Sequence, residues 1–213
     1  MAAVRDLSRM MKTANGLHLK AANKLRRCMI ATPDRGCVVK PNAEWDGSQD
    51  VLFVLEGWSN ADWANDIENR RSISARLMEL CGAVFLARAN QQDTVALSGA
   101  ESEVASVVVL VQDMLHVWRI LTSIKLRVES PMVCWCDNKG LVGLLNSWKV
   151  AGRTRHVAVK LCFLRELKER GIFQFKWRLG ENVKAGLFSK NLARPLFEKH
   201  AKNIVGVDEH MKH

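Results

Sequence analysis

The 213-residue sequence predicts a mixed α/β domain, and three observations carry that prediction. Short apolar runs of strand length alternate with stretches in which apolar residues recur every three or four positions. One such stretch, 101–124, runs more than twenty residues without Gly or Pro, which favours a long helix over a strand despite its valines. Acidic residues stand at the ends of the apolar runs, as they do where loops at one end of a sheet build a site.

The elements follow in order. Over 18–30, Leu19, Ala22, Leu25 and Met29 make an apolar stripe, with Lys20, Lys24, Arg26 and Arg27 off it, so an amphipathic helix is expected. Thr32-Pro33-Asp34-Arg35-Gly36 stops it. A polar, turn-rich stretch at 41–50 marks a boundary, dividing the chain into a basic helical segment (1–48), a main domain (49–197) and a tail (198–213). Strands are expected at 51–58, at 73–87 with a break near Gly82, and at 91–97. The long helix starts from Ser98 as N-cap with Glu101 as capping-box partner. The wholly apolar 132–136 reads as a central buried strand. Helices at 139–148 and 157–170, a strand at 172–179 and a short helix at 183–189 complete the series.

Composition narrows the function classes. Hydrophobic content of 48% and charged content of 25% are those of a globular protein. No apolar run approaches the ~20 residues of a membrane span, and the first residues lack the apolar core of a secretory signal; no membrane partner is expected. Six cysteines lie mostly in apolar runs, with no second pair to answer Cys134-Trp135-Cys136 at zinc-binding spacing. Buried reduced thiols, and hence an intracellular location in cytoplasm or nucleus, are the expectation. The net charge of +10 is unevenly placed: residues 1–40 carry +7, residues 41–100 carry −5, and the remainder is basic again. A basic frame around an acidic middle fits a polyanion held near a metal-binding centre, and equally a solvated surface with no partner.

Ordered motifs sharpen this. Ser59-Asn60-Ala61-Asp62-Trp63-Ala64 precedes Arg70-Arg71-Ser72-Ile73-Ser74. Then come Ala100-Glu101-Ser102-Glu103, Cys136-Asp137-Asn138, Arg153-Thr154-Arg155-His156-Val157 and Ala185-Gly186-Leu187-Phe188-Ser189-Lys190. In this order and spacing, 18–197 resembles the end of the Pol polyprotein of copia-type LTR retrotransposons: the last piece of the reverse transcriptase followed by the RNase H domain. The resemblance implies an RNase H-like mixed five-stranded sheet with flanking helices, preceded by a short helical remnant of the reverse transcriptase. It implies nucleic acid, in particular an RNA–DNA hybrid, as partner, alongside the rest of a reverse transcriptase.

Enzymes of this kind cleave the RNA strand with two Mg²⁺ (or Mn²⁺) ions about 4 Å apart, held by four carboxylates. By resemblance the four positions are Asn60, Glu103, Asp137 and Gly186. Glu103 is preferred to Glu101 because the residues after it fit the family's helix start better. Glu103 and Asp137 are metal ligands in kind; Asn60 is neutral and Gly186 offers no ligand. Two divalent ions ~4 Å apart repel by of order 16 kcal/mol at an effective dielectric constant near 20, so two missing carboxylates matter. Asp62 is the candidate rescuer, sharing Asn60's strand face but roughly 6–7 Å further along; Glu181 is a weaker one. The family pattern also has an Asp where Ala158 stands and a His where Cys162 stands.

For nucleic-acid contacts the resemblance and the clustering of cations single out Ser98, Asn138, Lys139, Arg153, Arg155 and His156. Trp135 and Trp177 are expected in the core, while Trp58 and Trp63 flank the site, with packing the expected role of all four. The sequence thus predicts a domain that binds nucleic acid and is impaired as a two-metal endoribonuclease. The alternatives are an active nuclease rescued by Asp62 and a non-enzymatic binding or structural module.

Overall fold

The computed structural model describes residues 2–207 except 34, 38, 43, 49, 67, 148–154, 191 and 202–203. Of residues 2, 35–37, 155, 156 and 205–207 it describes the backbone alone. Five strands form the central sheet: β1 (Leu55–Asp62), β2 (Ile73–Leu80), β3 (Ala83–Gln91), β4 (Met132–Cys136) and β5 (Phe173–Trp177). Helices α1 (Ala2–Arg9) and α2 (Gly16–Ile30) precede it. The others are α3 (Gly99–Ser123), α4 (Lys139–Leu145), α5 (Arg155–Glu169), α6 (Gly186–Ser189) and α7 (Arg194–Ala201).

Strand order is β3-β2-β1-β4-β5. β1, β2 and β3 form an antiparallel meander, while β4 and β5 join β1 in parallel. This is the RNase H-like mixed sheet with flanking helices and a helical N-terminal segment. The parallel half needs crossovers, which α3 and the α4–α5 pair provide.

One sheet face carries the main core. Leu55, Met78, Cys134, Phe173 and Phe175 meet Val104, Val107, Leu110 and Met114 of α3 and Leu161 and Leu164 of α5. Gly57 lets α3 approach β1 closely: a Cβ built there would lie 2.4 Å from Met114 Sδ and 3.0 Å from Leu110. α3 is also long and apolar enough to cross a membrane, a property that counting unbroken apolar runs misses. Its valines and leucines pack on the sheet instead. The opposite face is covered in part, by Val183, Ala185 and Phe188 against Trp58, Ala75 and Leu77.

Three expectations are corrected. The first strand runs over 55–62, not 51–58, because Leu52–Phe53 pairs separately with Arg127–Val128 while β1 stays in register with β2 as far as Asp62↔Ile73. The polar residues that suggested a strand end are satisfied internally: Ser59 Oγ bonds Ser106 Oγ at 2.8 Å, and Ser106 Oγ donates to the Asn60 carbonyl at 3.0 Å. The segment 73–87 is not one strand but the start of a hairpin turning at Cys81 and Gly82. Both have positive φ (50° and 81°), as a tight two-residue turn requires. Residues 92–97 are consequently loop rather than strand.

α2 to α6 fall close to where periodicity placed them, while α1 and α7 were not expected. Ser98 Oγ accepts the Glu101 N–H at 3.2 Å, and the Glu101 carboxylate reaches back to the Leu97 N–H at 2.9 Å, one residue short of a regular capping box. α2 forms behind Asn15, but Leu19 and Met29 are about two-thirds exposed, so its apolar stripe is uncovered. Arg35–Cys37 pairs antiparallel with Val205–Val207.

Candidate functional site

The site grows from the parallel pairing of β1 and β4. Trp58 lies opposite Trp135, so Asn60, still within β1, and Asp137, just past the end of β4, stand each two residues further on, towards the carboxyl end of the two strands. The second turn of α3 brings Glu103 beside Asp137, fixed by the Ala61 N–H donating to Glu103 Oε1 at 3.1 Å. Gly186 opens α6; its carbonyl accepts the Ser189 hydroxyl at 3.4 Å, and Asn60 Nδ2 donates to that same hydroxyl oxygen. Lys190 Nζ then lies 3.4 Å from Asn60 Oδ1. Glu103 and Asp137 are thus neighbours, and Asn60 is tied to the Gly186 carbonyl through the Ser189 hydroxyl.

Their electrostatics differ from those of a carboxylate cage. Glu103 is 8% exposed. Burial, and then the neighbouring Asp137, push its pKa from 4.5 up to about 8, against the opposing pull of the Ala61 N–H and of Lys190. Glu103 Oε2 is buried without a hydrogen-bond donor. At neutral pH the carboxyl pair accommodates this by holding a proton on Glu103 towards Asp137, as two crowded acids do. Asn60 is 1% exposed, and both ends of its amide are engaged, the nitrogen by Ser189 and the oxygen by Lys190. A carboxylate could not donate the first of these bonds.

The donor set falls short of a two-ion cage. Glu103 and Asp137 could hold one cation between them through the free Glu103 Oε2. No group of three or more His, Cys, Asp or Glu side chains suited to a metal occurs among the described residues. With an amide, a glycine and the Lys190 ammonium in the remaining positions, the residues do not fit a pair of divalent ions. Asp62 stands at the end of β1, where its carboxylate accepts from Asn65 Nδ2 at 2.6 Å. Glu101 is held at the helix cap, and Glu181 is exposed in a short turn before α6.

An open cavity of about 360 Å³ beside the pair is lined by Ala61, Trp63, Ser102, Asn138 and Lys139, with Glu103 and Asp137. Of the expected nucleic-acid contacts, Lys139 and Asn138 therefore lie at the site. Asn138 Oδ1 also caps α4 through the Leu141 N–H at 2.9 Å. Ser98 caps α3 next to the cavity residue Gly99. Arg153 lies outside the described residues, as do the side chains of Arg155 and His156, whose backbone begins α5.

The tryptophans redistribute. Trp58 is buried against Trp135, with ring centroids 5.4 Å apart. Trp177, expected in the core, is 42% exposed: its indole donates to the Asp137 carbonyl at 3.1 Å, and Lys139 Nζ lies 5.7 Å from its ring centre. Trp63 is exposed and held by the Ala96 carbonyl at 3.0 Å. The residue missed by sequence reasoning is Lys190. Its signal was present as a cation four residues after Gly186, within helical reach of the same site.

No protein-family model matches the sequence. Among curated relatives, the Retrovirus-related Pol polyprotein from transposon RE1 of Arabidopsis thaliana is 26% identical over 202 residues, 95% of this chain and 13% of that protein. The corresponding polyprotein from transposon TNT 1-94 of Nicotiana tabacum is 28% identical over 155 residues, 72% of this chain and 11% of that protein. The chain thus spans about an eighth of the length of these relatives. Among solved structures, the N-terminal RNase H domain of rv2228c from Mycobacterium tuberculosis aligns with a TM-score of 0.43 and 12% identity, over 71% of this chain and 97% of that one. Over most of its length the chain is similar to a segment of the Pol polyproteins of plant transposons, and its mixed five-stranded sheet has the RNase H-like strand order.

Proposed function

We propose that the domain binds nucleic acid, with an RNA–DNA hybrid as preferred ligand, and that it has lost the two-metal cleavage of its ancestry. The observation that carries this reading is the contact of Lys190 with Asn60 beside the protonated Glu103–Asp137 pair. A protein cation stands where the cage would concentrate negative charge. An amide and a glycine stand where two carboxylates would be needed, and the Lys190 ammonium adds a positive charge, so little is left to offset the repulsion of two divalent ions.

Binding does not need that cage. Lys139, poised over Trp177 at the cavity mouth, and the basic 149–155 region after α4 supply phosphate contacts, and the exposed indoles of Trp63 and Trp177 offer planar surfaces. The N-terminal helical segment is read as the remnant of the reverse-transcriptase end. Its uncovered apolar stripe is suited to packing on the rest of that protein. The described cysteines are all free, and burial pushes the Cys136 thiol up to about 12, so both strand thiols are inert in a reducing intracellular compartment.

Fluorescence anisotropy with a labelled hybrid in EDTA tests the reading. Retention that weakens log-linearly with salt, and weakens further in Lys139→Gln, is expected. No retention at low salt, or no preference for the hybrid over duplex DNA, would contradict it.

A further inference from the structure

A second charged cavity lies on the sheet face opposite α3, towards the end of the sheet away from Asp137. It encloses about 470 Å³ and is lined by Lys40, Glu56, Trp58, Glu79, Trp135, Arg178 and Lys184. Its floor is the stacked Trp58–Trp135 pair, whose planes are inclined by 19°. Both indole N–H groups are already taken, Trp58 by Glu79 Oε2 and Trp135 by Glu56 Oε1, each at 3.0 Å. The floor is therefore fixed in place and offers no free donor.

Cations cover that floor. The Arg178 guanidinium carbon lies 4.4 Å from the Trp135 ring centre and 5.5 Å from that of Trp58. Lys184 Nζ stands 4.9 Å from the Trp58 ring and is paired with the buried Glu79 at 2.5 Å. Lys176 Nζ stands 5.5 Å from the Trp135 ring. Glu79 is thereby neutralised, and Glu56 is the one remaining anion of the lining, against Lys40 and Arg178. With Lys176 the surroundings carry a net charge of +2. Stacking fixes the plane of the Arg178 guanidinium while leaving its N–H edge without a carboxylate partner among the described residues. A pre-ordered guanidinium with a free edge, and an ammonium beside it, is the arrangement that takes a phosphate in two parallel hydrogen bonds.

We propose that this cavity is a phosphate-binding site, distinct from the Glu103–Asp137 site and independent of its nucleic-acid reading, with Arg178 and Lys40 as the anion-contacting residues. The indole faces are occupied by cations, so the phosphate group is recognised and a base is not. The group is carried either by a free phosphate compound or by a nucleic-acid backbone.

Isothermal titration of the full chain with inorganic pyrophosphate, and separately with a short single-stranded oligodeoxynucleotide, tests this. Saturable pyrophosphate binding is expected, weakened about ten-fold or more in Arg178→Gln and in Lys40→Gln, with melting temperatures unchanged because both side chains are exposed. Lys139→Gln, at the other site, should leave pyrophosphate affinity as it was. If the oligonucleotide displaces pyrophosphate, the phosphate is that of a nucleic-acid backbone; if it does not, a free phosphate compound is the ligand. Absence of pyrophosphate binding overturns the proposal. So does an affinity that Arg178→Gln and Lys40→Gln leave unchanged, or that Lys139→Gln lowers equally.

Discussion

Glu103→Gln should stabilise the protein at alkaline pH. Glutamine has the shape of glutamate and keeps the oxygen that accepts the Ala61 N–H. In place of the undonated Oε2 it presents an amide N–H₂, which can donate to Asp137. In the wild type, the Glu103 carboxyl titrates near 4.5 when unfolded and at about 8 when folded. Between these values the folded state holds a proton that the unfolded state has released. Stability therefore falls as pH rises from about 4.5 to about 8 and is not regained above it. The full shift corresponds to on the order of 4–5 kcal/mol, and a discount for relaxation around the ionised carboxyl leaves about 2–4 kcal/mol. The glutamine variant lacks this penalty. Urea denaturation at pH 5 and at pH 8 should show wild type and variant close together at the lower pH. At the higher pH the variant should lead by about 2–4 kcal/mol. A variant equally or less stable than wild type at pH 8 would refute the reasoning, because it would mean that Glu103 is ionised and held by a cation.

Other perturbations test the frame around the site. Gly57→Ala should cost about 1–3 kcal/mol, since the new methyl meets Met114 and Leu110 where α3 lies on β1; chemical denaturation measures it. Gly82→Ala should cost about 1 kcal/mol or more, because φ there is +81° and the Asn42 amide fills the space. Ser106→Ala should cost about 1–3 kcal/mol by leaving the buried Ser59 hydroxyl and the Asn60 carbonyl without their partner. Millimolar Mg²⁺ should leave the wild-type melting temperature unchanged but raise that of an Asn60→Asp, Gly186→Asp variant, since only the latter presents four carboxylates to bind it in the folded state.

Much of the fold was legible because periodicity and burial agree where a segment is used in one way. The valines of α3 and the all-apolar Met132–Cys136 have a single place to go. β1 was read four residues early because Asn60 and Asp62 break the apolar pattern. The burial of Asn60 depends on partners 46 to 130 residues away (Ser106, Ser189 and Lys190), which local sequence does not reveal. The hairpin at Cys81 was half seen: Gly82 announced a break, but the positive φ of Cys81 did not. Trp177 continues the inward alternation of Phe173 and Phe175 and so looked like core, yet it projects past the helices and faces Lys139 instead. The four positions implied by the resemblance were grouped only through ordered motifs. The charge reversal at Lys190 required the closing segment folded back onto β1.

The central claim is that the fold and four positions of a two-metal nuclease persist while its charge does not. The most direct measurement is hydrolysis of an RNA–DNA hybrid in Mg²⁺ or Mn²⁺ by the wild type, by Asn60→Asp with Gly186→Asp, and by that double variant carrying Asp137→Asn. The backbone admits the test, since a Cβ on Gly186 meets no atom within 4 Å. The account predicts no cleavage by the wild type, cleavage by the double variant, and its loss with Asp137→Asn. Wild-type cleavage abolished by Asp137→Asn alone would contradict it.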